Sequence, residues 1–173
     1  GFVQTSITGQ VNLVVTAPGV MVQDWQGGDL VGNGTNDGGS GTWDAASTNW
    51  SASPYGLNTN WQSGVAVFGG ATGTVTVSGT QNFQGLQFAT NNYVLTGGAL
   101  NMGGATFVSV GVADATINSA LTGSGPLDKQ GIGRLTLGGA STYTGGTTLS
   151  SGKLQVTTAT ALGTGSLAMG AFT

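Results

Sequence analysis

The side chains that could do chemistry are few. The six carboxylates are all Asp, at Asp24, Asp29, Asp37, Asp44, Asp114 and Asp128; the cations are Lys129, Arg134 and Lys153; His, Cys and Glu are absent. Without His or Cys there is no Ser-His-Asp or Cys-His triad and no imidazole metal site. Ser40 and Ser124, each between two glycines, lack the outer glycines of a nucleophile elbow. A Ser–Lys dyad would have to use Lys129 or Lys153, and both stand at fixed positions of a strand pattern. Polysaccharide-cleaving sites need several carboxylates on one face. Asp37 and Asp44 are the closest carboxylates in the Trp-rich stretch, and no Lys or Arg lies near them in sequence. The run Gly32–Gly41 resembles a Gly/Asp calcium nonapeptide in composition, but its register is wrong and it does not recur. Gly163-Thr-Gly-Ser-Leu-Ala168 fits a dinucleotide pattern with no helix to follow it. Asn33-Gly-Thr35 and Asn49-Trp-Ser51 match glycosylation sequons, read as chance. The expectation is a non-enzyme with no cofactor and no metal.

One binding feature stands out. Trp43, Asp44, Trp50, Tyr55 and Trp61 lie in a segment rich in Gly, Asn, Ser and Asp. Aromatic rings stack on sugars and apolar side chains and are enriched at binding hot spots. The alternative is structural: the rings plug a loop or cap the end of a stack. These five residues are the candidate binding site.

The elements that would position them are strands. Leu135-Thr-Leu137, Thr147-Thr-Leu149 and Leu154-Gln-Val156 each alternate with the two-residue period of a half-buried strand. Further strands are expected at 73–77, 86–88, 93–95, 99–102, 107–110, 115–117 and 166–169, with others at 10–16 and 20–22. Gly-Gly and Ser-Ser-Gly punctuate them where positive φ is cheap. No segment carries a capped 3.6-residue apolar period, so no helix is expected. Segments 99–105, 134–140 and 166–171 share the pattern x-Leu-x-(Met/Leu)-Gly-(Gly)-Ala, some 32 to 35 residues apart. Such recurrence points to a stacked repeat. The fold class expected is all-β: a parallel β-helix (β-solenoid) with a Trp/Gly-rich loop or capping segment. The divisions are residues 1–24 as leading strands or a first coil, 25–63 as the loop or cap, and 64–173 as coils.

Composition agrees. Charged residues make up 5% and Gly numbers 34 of 173 residues, yet the many Val, Thr and Trp oppose disorder. A net charge of −3 with three cations argues against nucleic acid and against an anionic membrane surface. No apolar run approaches the ~20 residues of a membrane-spanning helix. Absent Cys excludes a disulfide scaffold. The chain is expected to be a piece of a longer protein, with targeting and anchoring segments elsewhere.

The run Lys129-Gln-Gly-Ile-Gly-Arg-Leu-Thr-Leu-Gly-Gly-Ala-Ser-Thr-Tyr-Thr-Gly-Gly-Thr-Thr-Leu-Ser-Ser-Gly-Lys-Leu-Gln-Val156 resembles the autotransporter-associated β-strand repeat. It departs clearly at Ser141, where Asn is usual. Upstream, Gly39-Ser-Gly-Thr-Trp-Asp44, Asn49-Trp50, Trp61, Ala66-Val-Phe-Gly-Gly70 and Tyr93-Val-Leu-Thr-Gly-Gly98 resemble the segment that often precedes such repeats. The resemblance covers about residues 38–170. It implies a right-handed parallel β-helix in the passenger of a monomeric (type V) autotransporter of a Gram-negative bacterium, held at the cell surface by an outer-membrane barrel outside this chain. It also implies an adhesin-like role. The expected partners are a host extracellular-matrix protein, a cell-surface receptor or glycan, or further copies of the chain. Open coil ends present unpaired strand edges, so self-association is expected unless residues 1–24 cap one end. A passive stalk displaying a distal domain is the alternative, and a carbohydrate-active enzyme a third reading.

Overall fold

The computed structural model describes residues 2–4, 12–14, 19–52 and 56–170, with backbone pairing alone for the first two segments. In chain order the strands are β1 (Phe2–Gln4), β2 (Asn12–Val14), β3 (Val22–Trp25), β4 (Gly41–Trp43), β5 (Trp50–Ala52), β6 (Asn58–Thr59), β7 (Val65–Phe68), β8 (Thr74–Asn82) and β9 (Gly85–Phe88). They continue as β10 (Tyr93–Met102), β11 (Thr106–Val110), β12 (Asp114–Ile117), β13 (Ala120–Gly123), β14 (Leu127–Gln130), β15 (Arg134–Leu137), β16 (Thr147–Leu149), β17 (Lys153–Val156) and β18 (Leu167–Met169). The described residues contain no helix.

The chain winds as a parallel β-solenoid of about five turns. Face A stacks β4, β8, β10, β12, β15 and β17 in parallel, and face C stacks β3, β7, β9, β11, β14, β16 and β18 in parallel. Between them lies face B. The strands β8 and β10 bend at Gly79 and Gly97, both at positive φ; their second halves pair with each other, and that of β10 also pairs with β13. Face B continues through the backbone bonds Thr142 N–H to Leu121 O (2.8 Å) and Thr164 N–H to Tyr143 O (3.0 Å). On face C, Thr106, Leu127, Thr147 and Leu167 stand in one column, so a coil takes about 20 residues.

That spacing corrects the repeat read from sequence. The x-Leu-x-(Met/Leu)-Gly segments are not equivalent positions of successive coils. Segment 99–102 is on face B, 134–137 on face A and 166–169 enters face C. Their 32- to 35-residue separation spans more than one turn, and the shared pattern marks a strand running into a Gly corner on any face. The expected strands from 73 onward are all found. The one expected at 20–22 lies later, at β3, and that at 10–16 overlaps β2, with its remainder outside the described residues.

Inward residues form one apolar column along the axis. Val75, Leu95, Ile117 and Leu137 line face A, and Leu86 and Val108 face C. Phe68 stacks on Phe88 with centroids 5.0 Å apart and planes at 15°, close to the ~4.8 Å spacing of paired strands. The first coil is larger than the rest. Val22 pairs with Val65, and the intervening residues add β5 antiparallel to β3 and β6 antiparallel to β5. Parallel stacking on face C therefore stops at β3.

Candidate functional site

The candidate residues fall in this enlarged coil. Trp25, at the end of β3, lies opposite Trp50 of β5. Trp43 ends β4, and Trp61 precedes β7. Their rings converge: Trp25–Trp50 4.9 Å, Trp43–Trp50 5.0 Å, Trp43–Trp61 5.0 Å and Trp50–Trp61 4.6 Å between centroids. Phe68 lies 5.8 Å from Trp50 and joins this group to Phe88 and Tyr93. Trp25, Trp43 and Trp50 have no exposed surface, and Trp61 has 6%. Edge-on and tilted rings suit the quadrupole of each indole. The cluster closes the apolar column at its first coil.

Position therefore favours the structural alternative for Trp43, Trp50 and Trp61: in this conformation none offers a ring to a ligand. Trp25 Nε1–H donates to Gly39 O (2.9 Å) and Trp61 Nε1–H to Asn82 O (2.7 Å), while the buried indole N–H groups of Trp43 and Trp50 find no acceptor. Asp44 does not join the rings in a site. Its carboxylate accepts from Ser47 N–H (2.6 Å), Ala46 N–H (2.8 Å) and Ser47 Oγ–H (2.9 Å). The backbone donors of Ser47 and then Ala46 hold its carboxyl below the ordinary value. Asp44 shapes the turn after β4. Tyr55 lies outside the described residues.

Two other buried polar groups hold corners. Tyr93 Oη–H donates toward Gly69 O (2.8 Å) and Ala71 O (2.5 Å) and its oxygen accepts from Gly39 N–H (2.9 Å). Burial pushes its phenol up to about 12. Lys129 occupies the inward column between Val108 and Leu149 and is fully buried. Its ammonium donates to Gly131 O (2.7 Å), Gln130 O (2.8 Å) and Ser151 O (3.2 Å), tying two successive corners together. Burial pulls it down to about 8, partly opposed by the Asp128 carboxylate. The sequence marks Lys129 as a fixed repeat position; nothing in it announces an inward-pointing cation.

Face B carries a polar ladder on its outer side. Asn101 Nδ2–H donates to Asn82 Oδ1 (2.8 Å), and Thr122 Oγ1–H to Asn101 Oδ1 (3.4 Å). Asn82 and Asn101 border a groove of about 410 Å³ with Ser63, Gln84, Gly103 and Gly104. Among the described residues no three His, Cys, Asp or Glu side chains gather as metal ligands. Asp37 accepts from Asn33 Nδ2–H (3.0 Å) and Thr35 Oγ1–H (2.7 Å), a closed local network.

Residues 127–156 match the family described as the Passenger-associated-transport-repeat. Together with the stacked parallel coils, this makes the chain a β-solenoid segment of the autotransporter-passenger type. Over 185 aligned residues, covering 94% of this chain, it is 38% identical to the Adhesin BmaC autotransporter of Brucella suis biovar 1 (strain 1330). The chain spans 5% of that protein's length. No solved structure matches it.

Proposed function

We propose that the chain is a stretch of a bacterial surface adhesin, displayed outside the outer membrane by a barrel carried elsewhere in the protein. It attaches the cell to a host matrix protein, to a host receptor or glycan, or to another cell, and does so without catalysis. The likeness to a protein named as an adhesin autotransporter carries the reading. Residues 25–63 serve as the cap of the coil stack, and contact falls to the outward faces. The amide and hydroxyl ladder of Asn82, Asn101 and Thr122 on face B suits several weak hydrogen bonds added together.

A binding panel of matrix proteins, host cells and glycans tests this with the 173-residue chain beside Asn82→Ala/Asn101→Ala/Thr122→Ala. Saturable binding that drops in the still-folded variant supports adhesion through face B. Saturable binding that the variant retains keeps the adhesive reading and moves its surface to face A or C. No binding by the folded wild type overturns the adhesive reading for this stretch and leaves the passive stalk, which the burial of Trp43, Trp50 and Trp61 also favours.

A further inference from the structure

Two unlike patches lie along one edge of the solenoid. The edge is where the chain turns from face C to face A. Residues 26–40 form it in the first coil, and 69–73, 89–92, 111–113, 131–133 and 150–152 form it in the following ones. Toward the last coils, Val112 and Ile132 are 74% and 69% exposed. They border a groove of about 190 Å³ with Arg134 and Lys153, which are register neighbours. Arg134 is held by Asp114 at 2.7 Å, the one ion pair among the described residues, so Lys153 has none. In the first coil, Leu30 and Val31 are 54% and 80% exposed. Leu57 is 85% exposed, and the adjacent Asn58 is tied to this loop, its Nδ2–H donating to Asp29 O (2.9 Å). Asp29 and Asp37 flank this patch with no cation opposite.

We propose that this edge is a homotypic docking surface. Two copies lie antiparallel, edge to edge, so that the acidic, apolar 29–37 loop of each faces the basic, apolar Val112–Lys153 patch of the other. Charge is scarce in this chain, at 5% of residues, yet both exposed cations sit at one patch, where Asp114 offsets Arg134 and leaves Lys153 unpaired, and Asp29 and Asp37 sit at the other. Exposed apolar side chains accompany both. Residues 36–39 rest on the corner at 69–71, so three to five coils separate the patches, about 14–24 Å at the usual strand spacing. A two-fold axis between them satisfies both contacts at once and closes the assembly at a dimer. The patches are small, so the dimer is weak and transient in solution; arrays of copies on facing cells strengthen it by multivalency. The proposal deepens the adhesive reading toward cell-to-cell attachment, but it is measured without any host ligand, so either can fail alone.

Sedimentation equilibrium of the 173-residue chain provides the test, at low and at high salt, with circular dichroism verifying each variant's fold. The expected result is a monomer–dimer equilibrium weakened by salt. Lys153→Glu and Asp29→Lys each weaken it by about tenfold or more, and an equimolar mixture of the two variants restores it. Charge-neutral Ile132→Ser weakens it as well, which separates the edge from a general charge effect. Three results would each overturn the proposal: a wild type that stays monomeric at the highest load, association unchanged in Lys153→Glu or in Ile132→Ser, or a mixture that fails to restore it. Unchanged association in both variants would move the contact to the open coil end at Leu167 and Met169.

Discussion

Replacing Trp50 tests whether the aromatic cluster is a cap. The ring is fully buried and touches four others, with centroids at 4.6 Å (Trp61), 4.9 Å (Trp25), 5.0 Å (Trp43) and 5.8 Å (Phe68). Truncation of a buried Trp to Ala costs about 3–5 kcal/mol, and loss of four ring partners places Trp50→Ala in the upper half of that range. Against this stands the buried indole N–H without an acceptor, a penalty of about 1–3 kcal/mol in the wild type that any carbon side chain removes. The net expectation is a loss of about 3 kcal/mol for Trp50→Ala and about 1 kcal/mol for Trp50→Phe, which keeps a ring and drops the unsatisfied donor. Urea unfolding followed by tryptophan fluorescence and by far-ultraviolet circular dichroism measures both. Solenoids unfold by neighbouring units, so the fluorescence transition, reporting the cap, moves to lower urea while dichroism from the later coils moves less. Equal losses in the two variants would refute the argument from the orphan donor. An unshifted Trp50→Ala would refute burial of the ring altogether.

Four further outcomes follow from the same geometry. Lys129→Met keeps the volume but withdraws the donor shared by three carbonyls; thermal unfolding should show a loss of about 1.5–3 kcal/mol. Because burial lowers Lys129 to about 8 from 10.5, the fold disfavours its charged form, and stability rises as pH climbs from 8 to 10.5. Tyr93, raised from 10.0 to about 12, contributes stability that is lost as pH rises from 10 through 12. Denaturation midpoints should therefore peak near pH 10, with the alkaline fall reduced in Tyr93→Phe. A Cβ at Gly125 would stand 1.9 Å from Gly104 O, whereas one at Gly104 meets nothing within 4 Å. Gly125→Ala should lower the melting temperature by the equivalent of about 1–3 kcal/mol, and Gly104→Ala should stay within about 0.5 kcal/mol. The Arg134–Asp114 pair has side chains 48% and 43% exposed, so Asp114→Asn should change stability by less than about 1 kcal/mol.

Much of the fold was legible because alternation and Gly corners are local signals. Leu135, Leu137 and Leu149 point inward as the two-residue period requires, and short strands between glycines leave little room for anything but stacked coils. The coil length was not legible. A Leu-x-Leu-Gly-Gly pattern states that a strand meets a corner, and every face of a coil has a corner, so the pattern recurs off-phase with the turn. The strands β5 and β6 escaped because Trp50-Ser-Ala52 and Asn58-Thr59 carry no alternation long enough to read; tertiary pairing with β3 creates them. The Trp cluster was visible as a group, but a sequence cannot say whether rings in a polar segment face solvent or each other. Lys129 shows the same limit: its fixed place in the repeat does not say which way it points, and the three carbonyls that make an inward position tolerable come from chain folded around it.

The close glycine approaches and the outer ladders are two results of one constraint. Carbonyl oxygens of one coil sit where a side chain at Gly125 or Gly133 of the next would be, which fixes the spacing of neighbouring coils at those corners. Fixed spacing sets Asn82, Asn101 and Thr122 within hydrogen-bonding reach, at the ~4.8 Å repeat of paired strands. On the proposed adhesive reading, each coil of such a surface adds a small increment. On that reading, affinity grows with the number of coils engaged rather than with the perfection of any one contact. A buried aromatic cluster fits the proposed reading. An exposed ring would make a single strong contact at one end of the array, whereas a buried one protects the first apolar layer and leaves binding to the repeated faces. For an adhesive reading, shortening the array of outward ladders should therefore weaken attachment progressively, while loss of the cap should act through folding.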